Sequence, residues 1–278
     1  MGIFGINYNK PGPGVNRYEP QKKGIKRLFE LLRRDLNDLI KINITFIIAI
    51  LPSVVLFVYN YLKVGNVLLL ILSIILTFPI GGAVTASFYC ISMLLLNESR
   101  HVIYEFWRKF KENILQAAPF GMLYVSFLYL QIYVWTSMFQ QIIDPTFATM
   151  ILMAIALLFV SMVAPYVFLQ IGHLELKSRH IYKNSVLIAI RYFSKSIGGL
   201  LVSNLHWLLT AMFYPLSLWW VALQILMGFT FSFLINLMFI WKHVDDLFSI
   251  GKTIKERREE KTKDIPSVFS SVSRQDIT

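Results

Sequence analysis

Charge in the apolar stretches is what this chain most conspicuously lacks. None of its long apolar runs carries a Lys, Arg, Asp or Glu in its middle. A buried carboxylate is the usual seat of a coupling ion, so proton- or sodium-driven transport is disfavoured. Cysteine is nearly absent too: the single Cys90 can form no internal disulfide and reads as a small packing residue. There is no H-E-x-x-H, no G-x-S-x-G and no Gly-Lys-Ser/Thr phosphate loop, so zinc-peptidase, serine-hydrolase and nucleotide-hydrolase chemistry are not expected. His101, His180 and His243 lack the spacing of metal ligands, and neither a metal nor a cofactor is expected. The opening 24 residues are polar, with Pro11, Pro13 and Pro20, and lack the apolar core of a cleavable signal peptide.

What the chain has instead is apolar length. Hydrophobic residues make up 56% of it and the mean hydropathy is +0.57. The excess is gathered in six runs that predict helices at about 42–62, 67–97, 118–139, 147–174, 197–217 and 220–241. Each reaches the roughly 20 residues that cross hydrocarbon. Backbone groups in lipid must bond internally, which leaves helices or closed barrels, and continuous runs lack the alternation of barrel strands. The expected class is an all-α integral membrane protein with six transmembrane helices arranged as three hairpins.

The charges outside those runs are lopsided. Of 27 Lys and Arg residues, only Lys63 falls in a connection on the far side; nine precede the first span, and the 98–117, 175–196 and post-241 segments hold the rest. By the positive-inside rule both termini and the two longer connections are expected in the cytoplasm of a multi-pass cell-membrane protein. Tyr59, Tyr61, Tyr133, Trp135, Tyr214, Trp219 and Trp220 gather at the opposite ends, where amphipathic rings favour headgroups. The net charge of +11 is then accounted for by an anionic inner leaflet, and no nucleic acid is expected.

Before the first, third and fifth spans lies a basic amphipathic stretch. Ile25, Leu28, Phe29, Leu32, Leu36 and Leu39 share one helical face; Ile103, Phe106, Trp107, Phe110 and Ile114 share another; 181–195 follows less cleanly. Each is expected to lie in the inner interface and then turn into its hairpin. Ser99-Arg100-His101 recurs as Ser178-Arg179-His180, which leaves an internal triplication and a chance match equally open. The second run would measure roughly 46 Å as one helix, against roughly 30 Å of hydrocarbon. Pro79 with Gly81 and Gly82, and Pro165 in the fourth run, are the expected breaks, read first as kinks and second as the frame of a substrate site. His206 is the only ionisable group well inside a run and reads as an interhelical hydrogen-bonding residue. His173 and Glu175 read as a solvated end of the fourth span.

Three regions are expected: a Pro/Gly-rich cap at 1–24, a membrane unit at 25–250, and a charged tail at 251–278 that frays from a helix into disorder. The cap reads Phe4-Gly5-Ile6-Asn7-Tyr8-Asn9-Lys10-Pro11-Gly12-Pro13-Gly14-Val15. With the Phe29-Glu30-Leu31-Leu32-Arg33-Arg34 segment that follows, it resembles the YesL-like family of Firmicute membrane proteins, whose function is unknown. Glu105 to Asn113, with Phe106, Trp107 and Phe110, resembles that family's aromatic-basic-Asn stretch, and Lys183-Asn184 its later Lys-Asn pair. The resemblance covers essentially the whole chain. It implies a non-catalytic accessory or regulatory subunit in a Gram-positive cell membrane, beside permease subunits of an ATP-binding-cassette carbohydrate importer. Asn7, Tyr8, Asn9, Lys10, Pro11, Gly12, Pro13, Phe106, Trp107, Phe110, Asn113, Lys183 and Asn184 are the candidate partner-binding residues. The chain lacks the Glu-Ala-Ala loop by which such permeases dock their ATPase, so it is not expected to be the permease. The alternative expectation is a small transporter or channel with a midplane site at the Pro-broken spans.

Overall fold

Small side chains decide what sits at the centre. The computed structural model describes residues 24–64, 66–98, 101–140, 146–213 and 218–263, and among these every regular element is helical. In chain order they are α1 (Ile25–Tyr59), a π-helical turn (Asn60–Val64), α2 (Val67–Ile75), α3 (Phe78–Leu95), α4 (Val102–Phe139), α5 (Phe147–His173), α6 (Ser178–Arg191), α7 (Phe193–Phe213), α8 (Leu218–Phe248) and α9 (Ile250–Lys263). Five helices are long and apolar enough to cross a membrane, or six if the bent pair α6–α7 counts as one. This is the architecture of an all-α membrane-spanning protein.

The α3 helix is rich in Gly, Ala, Ser and Thr and packs against α1, α4, α5 and α8. Without bulky side chains its backbone comes close to theirs, which is how apolar helices associate when lipid offers no hydrophobic gradient. At the α3–α4 crossing a Cβ on Gly81 would overlap the Ala117 carbonyl, and one on Gly121 would lie 2.5 Å from the Gly81 backbone. Gly82 receives Phe110 and Ile114 in the same way. The α7–α8 hairpin is the other closely packed pair, and one continuous apolar core joins both.

The expected break at Pro79 is present. The 67–97 run is two helices, α2 and α3, separated at Leu76–Thr77, with Pro79 in the first turn of α3, where its missing N–H costs nothing. Gly81 and Gly82 are interior to α3 and serve the crossing with α4, so they break nothing. Pro165 lies within α5, which runs on to His173 without interruption.

The three expected interfacial helices turn out differently from one another. In α1 the backbone leaves helical geometry at Asp35 (φ −113°, ψ 15°), so 25–34 forms its own segment ahead of the span. α6 meets α7 at 92° across Tyr192, a true elbow. The middle one is a correction: 102–114 is simply the first third of the 38-residue α4. On its apolar face Phe106 is fully buried where α4 packs on α3, while Ile103 and Trp107 stay exposed. The charged tail also starts as ordered structure. Asp245 accepts a hydrogen bond from the Gly251 amide at 2.6 Å, Ser249 turns the chain with φ 51°, and Ile250 is buried, which seats α9 on the core. Helix continues to Lys263; the remainder lies outside the described residues.

Candidate functional site

Two places concentrate polar chemistry: the basic end of the bundle, and a cavity within it. At the basic end α3 stops at Leu95, with Asn97 left-handed (φ 60°) and the Glu98 amide bonded back to the Met93 carbonyl at 2.9 Å. That ending leaves the Leu95 carbonyl without a helical partner and gives the Leu94 carbonyl only the Asn97 amide at 3.1 Å. Two arginines from α1 reach both carbonyls. Arg27, only 6% exposed, donates to the Leu95 carbonyl (2.8 Å) and to Asn97 Oδ1 (3.0 Å), and pairs with Glu30 at 3.1 Å. Arg34 donates to the Leu94 carbonyl (3.0 Å) and also to Asn97 Oδ1. Both cations thus sit at a helix C-terminus, the end whose dipole favours positive charge. The first amphipathic stretch is therefore a brace that fastens α1 to the end of α3.

The candidate partner-binding residues separate into two groups. Phe106 is inside the core, Phe110 is half-buried against Gly82, and Asn113 donates to the Lys109 carbonyl of its own helix at 2.9 Å. These three hold α4 to α3 or stabilise α4 itself, so Phe106 in particular has no surface to offer a partner. Trp107 stands edge-on between the Phe106 and Phe110 rings and is 36% exposed. Lys183 is exposed and Asn184 half-buried on α6. The structure does not bring the α4 and α6 residues together into one site. Asn7 to Pro13 lie outside the described residues. On α4 the exposed face carries Ile103 (48%), which the sequence pattern places on the interfacial face with Phe106, and Tyr104 (67%), to which it gives no role.

Within the bundle several polar side chains bond between helices. His206 of α7 bridges to Gln224 Oε1 (2.7 Å) and Ser232 Oγ (2.8 Å) of α8, and Trp207 donates to the same serine at 2.9 Å. The interhelical role expected of His206 is what the geometry gives. His173 is not a solvated cap: its Nε2 lies 2.7 Å from Ser92 Oγ, and its ring packs against Tyr89 and Trp241. In the sequence Asn43 reads only as part of a sequon-like Asn43-Ile44-Thr45 triplet without consequence. Fully buried, it donates to the Ile225 carbonyl (2.8 Å) and accepts from the Phe229 and Thr230 amides (3.1 Å each), so its amide grips the backbone of α8. A single asparagine in an apolar run was the available signal.

Between α1, α3, α4, α5, α7 and α8 lies a cavity of about 380 Å³. Its walls are largely aromatic and aliphatic, and Pro165 is among them. No Lys, Arg, Asp, Glu or His lines it; the polar groups are neutral, including Ser203, Asn204 and Asn236. This is the size and the mix of many apolar surfaces with few polar groups that a small-molecule site has. Among the described residues no three His, Cys, Asp or Glu side chains are grouped as metal ligands.

Comparisons with known protein families, with characterised proteins and with solved structures find no match to this chain. The class is therefore the one that the helices define: an all-α protein built of membrane-length apolar helices.

Proposed function

We propose that this chain is a non-catalytic accessory subunit that docks on another membrane complex through its basic, cytoplasm-facing end. The exposed Ile103–Tyr104 face of α4 carries the reading. This part of α4 lies outside the apolar portion of the helix, and its other face is already committed to α3. Large side chains left exposed beside Arg108 and Lys111 have the make-up of a binding patch, since aromatic residues and arginine are enriched where proteins meet. The resemblance in the cap and in α4 points to permease subunits of an ATP-binding-cassette carbohydrate importer as the partner. Both termini then lie in the cytoplasm, and the surrounding basic residues rest on anionic inner-leaflet lipid.

Pull-down of the tagged chain from native membranes, followed by mass spectrometry, tests this directly. Permease subunits of a sugar importer are expected among the captured proteins. A Tyr104→Glu, Ile103→Glu double variant is expected to lower their recovery roughly tenfold or more, because a charge replaces an apolar anchor. Both positions are exposed, so the variant should elute from size exclusion as the parent does. Recovery of no membrane complex by the parent chain would end the docking proposal.

The cavity favours a second reading, a small transporter with an intramembrane site beside Pro165. Substrate-dependent flux into liposomes containing this protein alone would decide for it.

A further inference from the structure

We propose that the central cavity binds an uncharged amphiphile through a hydroxyl group, reached from the lipid side of the bundle. The inference rests on the cavity alone and is independent of the docking reading.

The first observation is an orphan atom. Asn236 of α8 lines the cavity and is only 6% exposed, yet its Oδ1 is buried with no hydrogen-bond partner. A buried carbonyl oxygen without a donor is uncommon in a folded protein and calls for an explanation. A ligand that brings a donor supplies one. A hydroxyl can donate to that oxygen.

The second observation is the absence of charge among the lining residues. An ionised carboxylate or ammonium there would be desolvated with no counter-ion, which is strongly unfavourable. Carboxylates also cannot donate to Asn236. Fatty acids, amines and quaternary headgroups are disfavoured on the same ground. A neutral alcohol meets both conditions, and the rings of Phe46, Phe88, Phe168, Phe229 and Phe233 give its hydrocarbon part an apolar enclosure.

The third observation concerns access. Asn204 of α7 also lines the cavity, but its side chain is exposed in the middle of an apolar helix. Its Nδ2 is held to the Leu200 carbonyl at 2.8 Å, so the amide is kept at the cavity's edge. Polar side chains are not placed against hydrocarbon without cause, and one at the mouth of a neutral polar cavity gives an entering hydroxyl its first partner. An apolar groove of about 280 Å³ between α4, α5 and α6 shares Tyr124, Ala164 and Phe168 with the cavity, which adds room for an alkyl chain.

The test uses the full chain in phosphatidylcholine nanodiscs and a pair of photoprobes. One is hexadecanol carrying a chain diazirine and a terminal alkyne; the other is the corresponding carboxylic acid. The alcohol is expected to label peptides from α7 or α8 around Asn204 and Asn236 saturably, with competition by plain hexadecanol. The acid should label them roughly tenfold less, the factor for losing one hydrogen bond to a buried acceptor. Asn236→Leu is expected to lower alcohol labelling by a similar factor, and to melt no lower than the parent, because it removes an unpartnered polar atom. The alcohol-versus-acid comparison on the parent chain decides the matter even if that variant does not fold. Equal labelling by both probes, or labelling confined to outward residues such as Leu152 and Leu208, would overturn the proposal.

Discussion

Gly81→Ala and Gly121→Ala are each expected to cost the protein its folded, monodisperse state in mild detergent. The added methyl has nowhere to go: on Gly81 it overlaps the Ala117 carbonyl, and on Gly121 it stands 2.5 Å from the Gly81 backbone. Both obstacles are main chain, Ala117 within α4 and Gly81 in the first turns of α3, so relief requires the two helices to move apart at their crossing. Overpacking in a tight core costs about 1–3 kcal/mol and more when backbone must move. At about 2–4 °C per kcal/mol for a chain of this size, the melting temperature is expected to fall by roughly 2–12 °C, and further where backbone must move. Gly172→Ala is the control, since its nearest neighbour would be the Thr85 carbonyl at 3.4 Å, an ordinary contact. Differential scanning fluorimetry of the three variants checks the ranking.

The second large effect is expected at the brace. Arg27→Leu keeps the bulk of a buried side chain but removes the donor to the Leu95 carbonyl and Asn97, and leaves Glu30 without its cation. Unpairing a buried acceptor costs about 1–3 kcal/mol, and more where charge is involved. Asn97 separates the contributions. Asn97→Gly accepts the φ of 60° without strain and loses only the shared oxygen, whereas Asn97→Ala loses the oxygen and is also strained. The expected order of stability is parent, Asn97→Gly, Asn97→Ala, then Arg27→Leu. Proteolysis of the α1–α3 contact region should follow the same order.

Length, apolar continuity and the Pro79 break were legible in the sequence because each depends on local chemistry: a run long enough to cross, and a proline suited to the first turn of a helix, although Pro52, Pro119 and Pro165 lie inside helices. The nature of 102–114 was not. Ile103, Phe106, Trp107, Phe110 and Ile114 share one face, and the period does not say which of them a neighbouring helix buries: Phe106 is inside the core, Phe110 and Ile114 lie against Gly82, and Ile103 and Trp107 stay exposed. Gly81 and Gly82 beside Pro79 looked like one breaking unit, yet the proline starts a helix and the glycines admit its neighbour. The cavity draws its walls from six helices far apart in the chain, and no local pattern registers such a convergence. His206 was readable because an ionisable group in an apolar run demands a partner; Asn43 makes the same demand and answers it with main chain, which the sequence does not display.

The proposed docking requires the basic end to lie on the cytoplasmic side. Cys90 is buried at 2% exposure and should stay silent to a thiol reagent, so one introduced cysteine can report the side it lies on. Tyr104→Cys marks the basic end, and Phe139→Cys, where the native ring is 81% exposed, marks the opposite end. With a membrane-impermeant maleimide and intact cells, Phe139→Cys is expected to react, and Tyr104→Cys only after permeabilisation. The reverse pattern, with Tyr104→Cys labelled from outside, would contradict the orientation and the docking surface built on it.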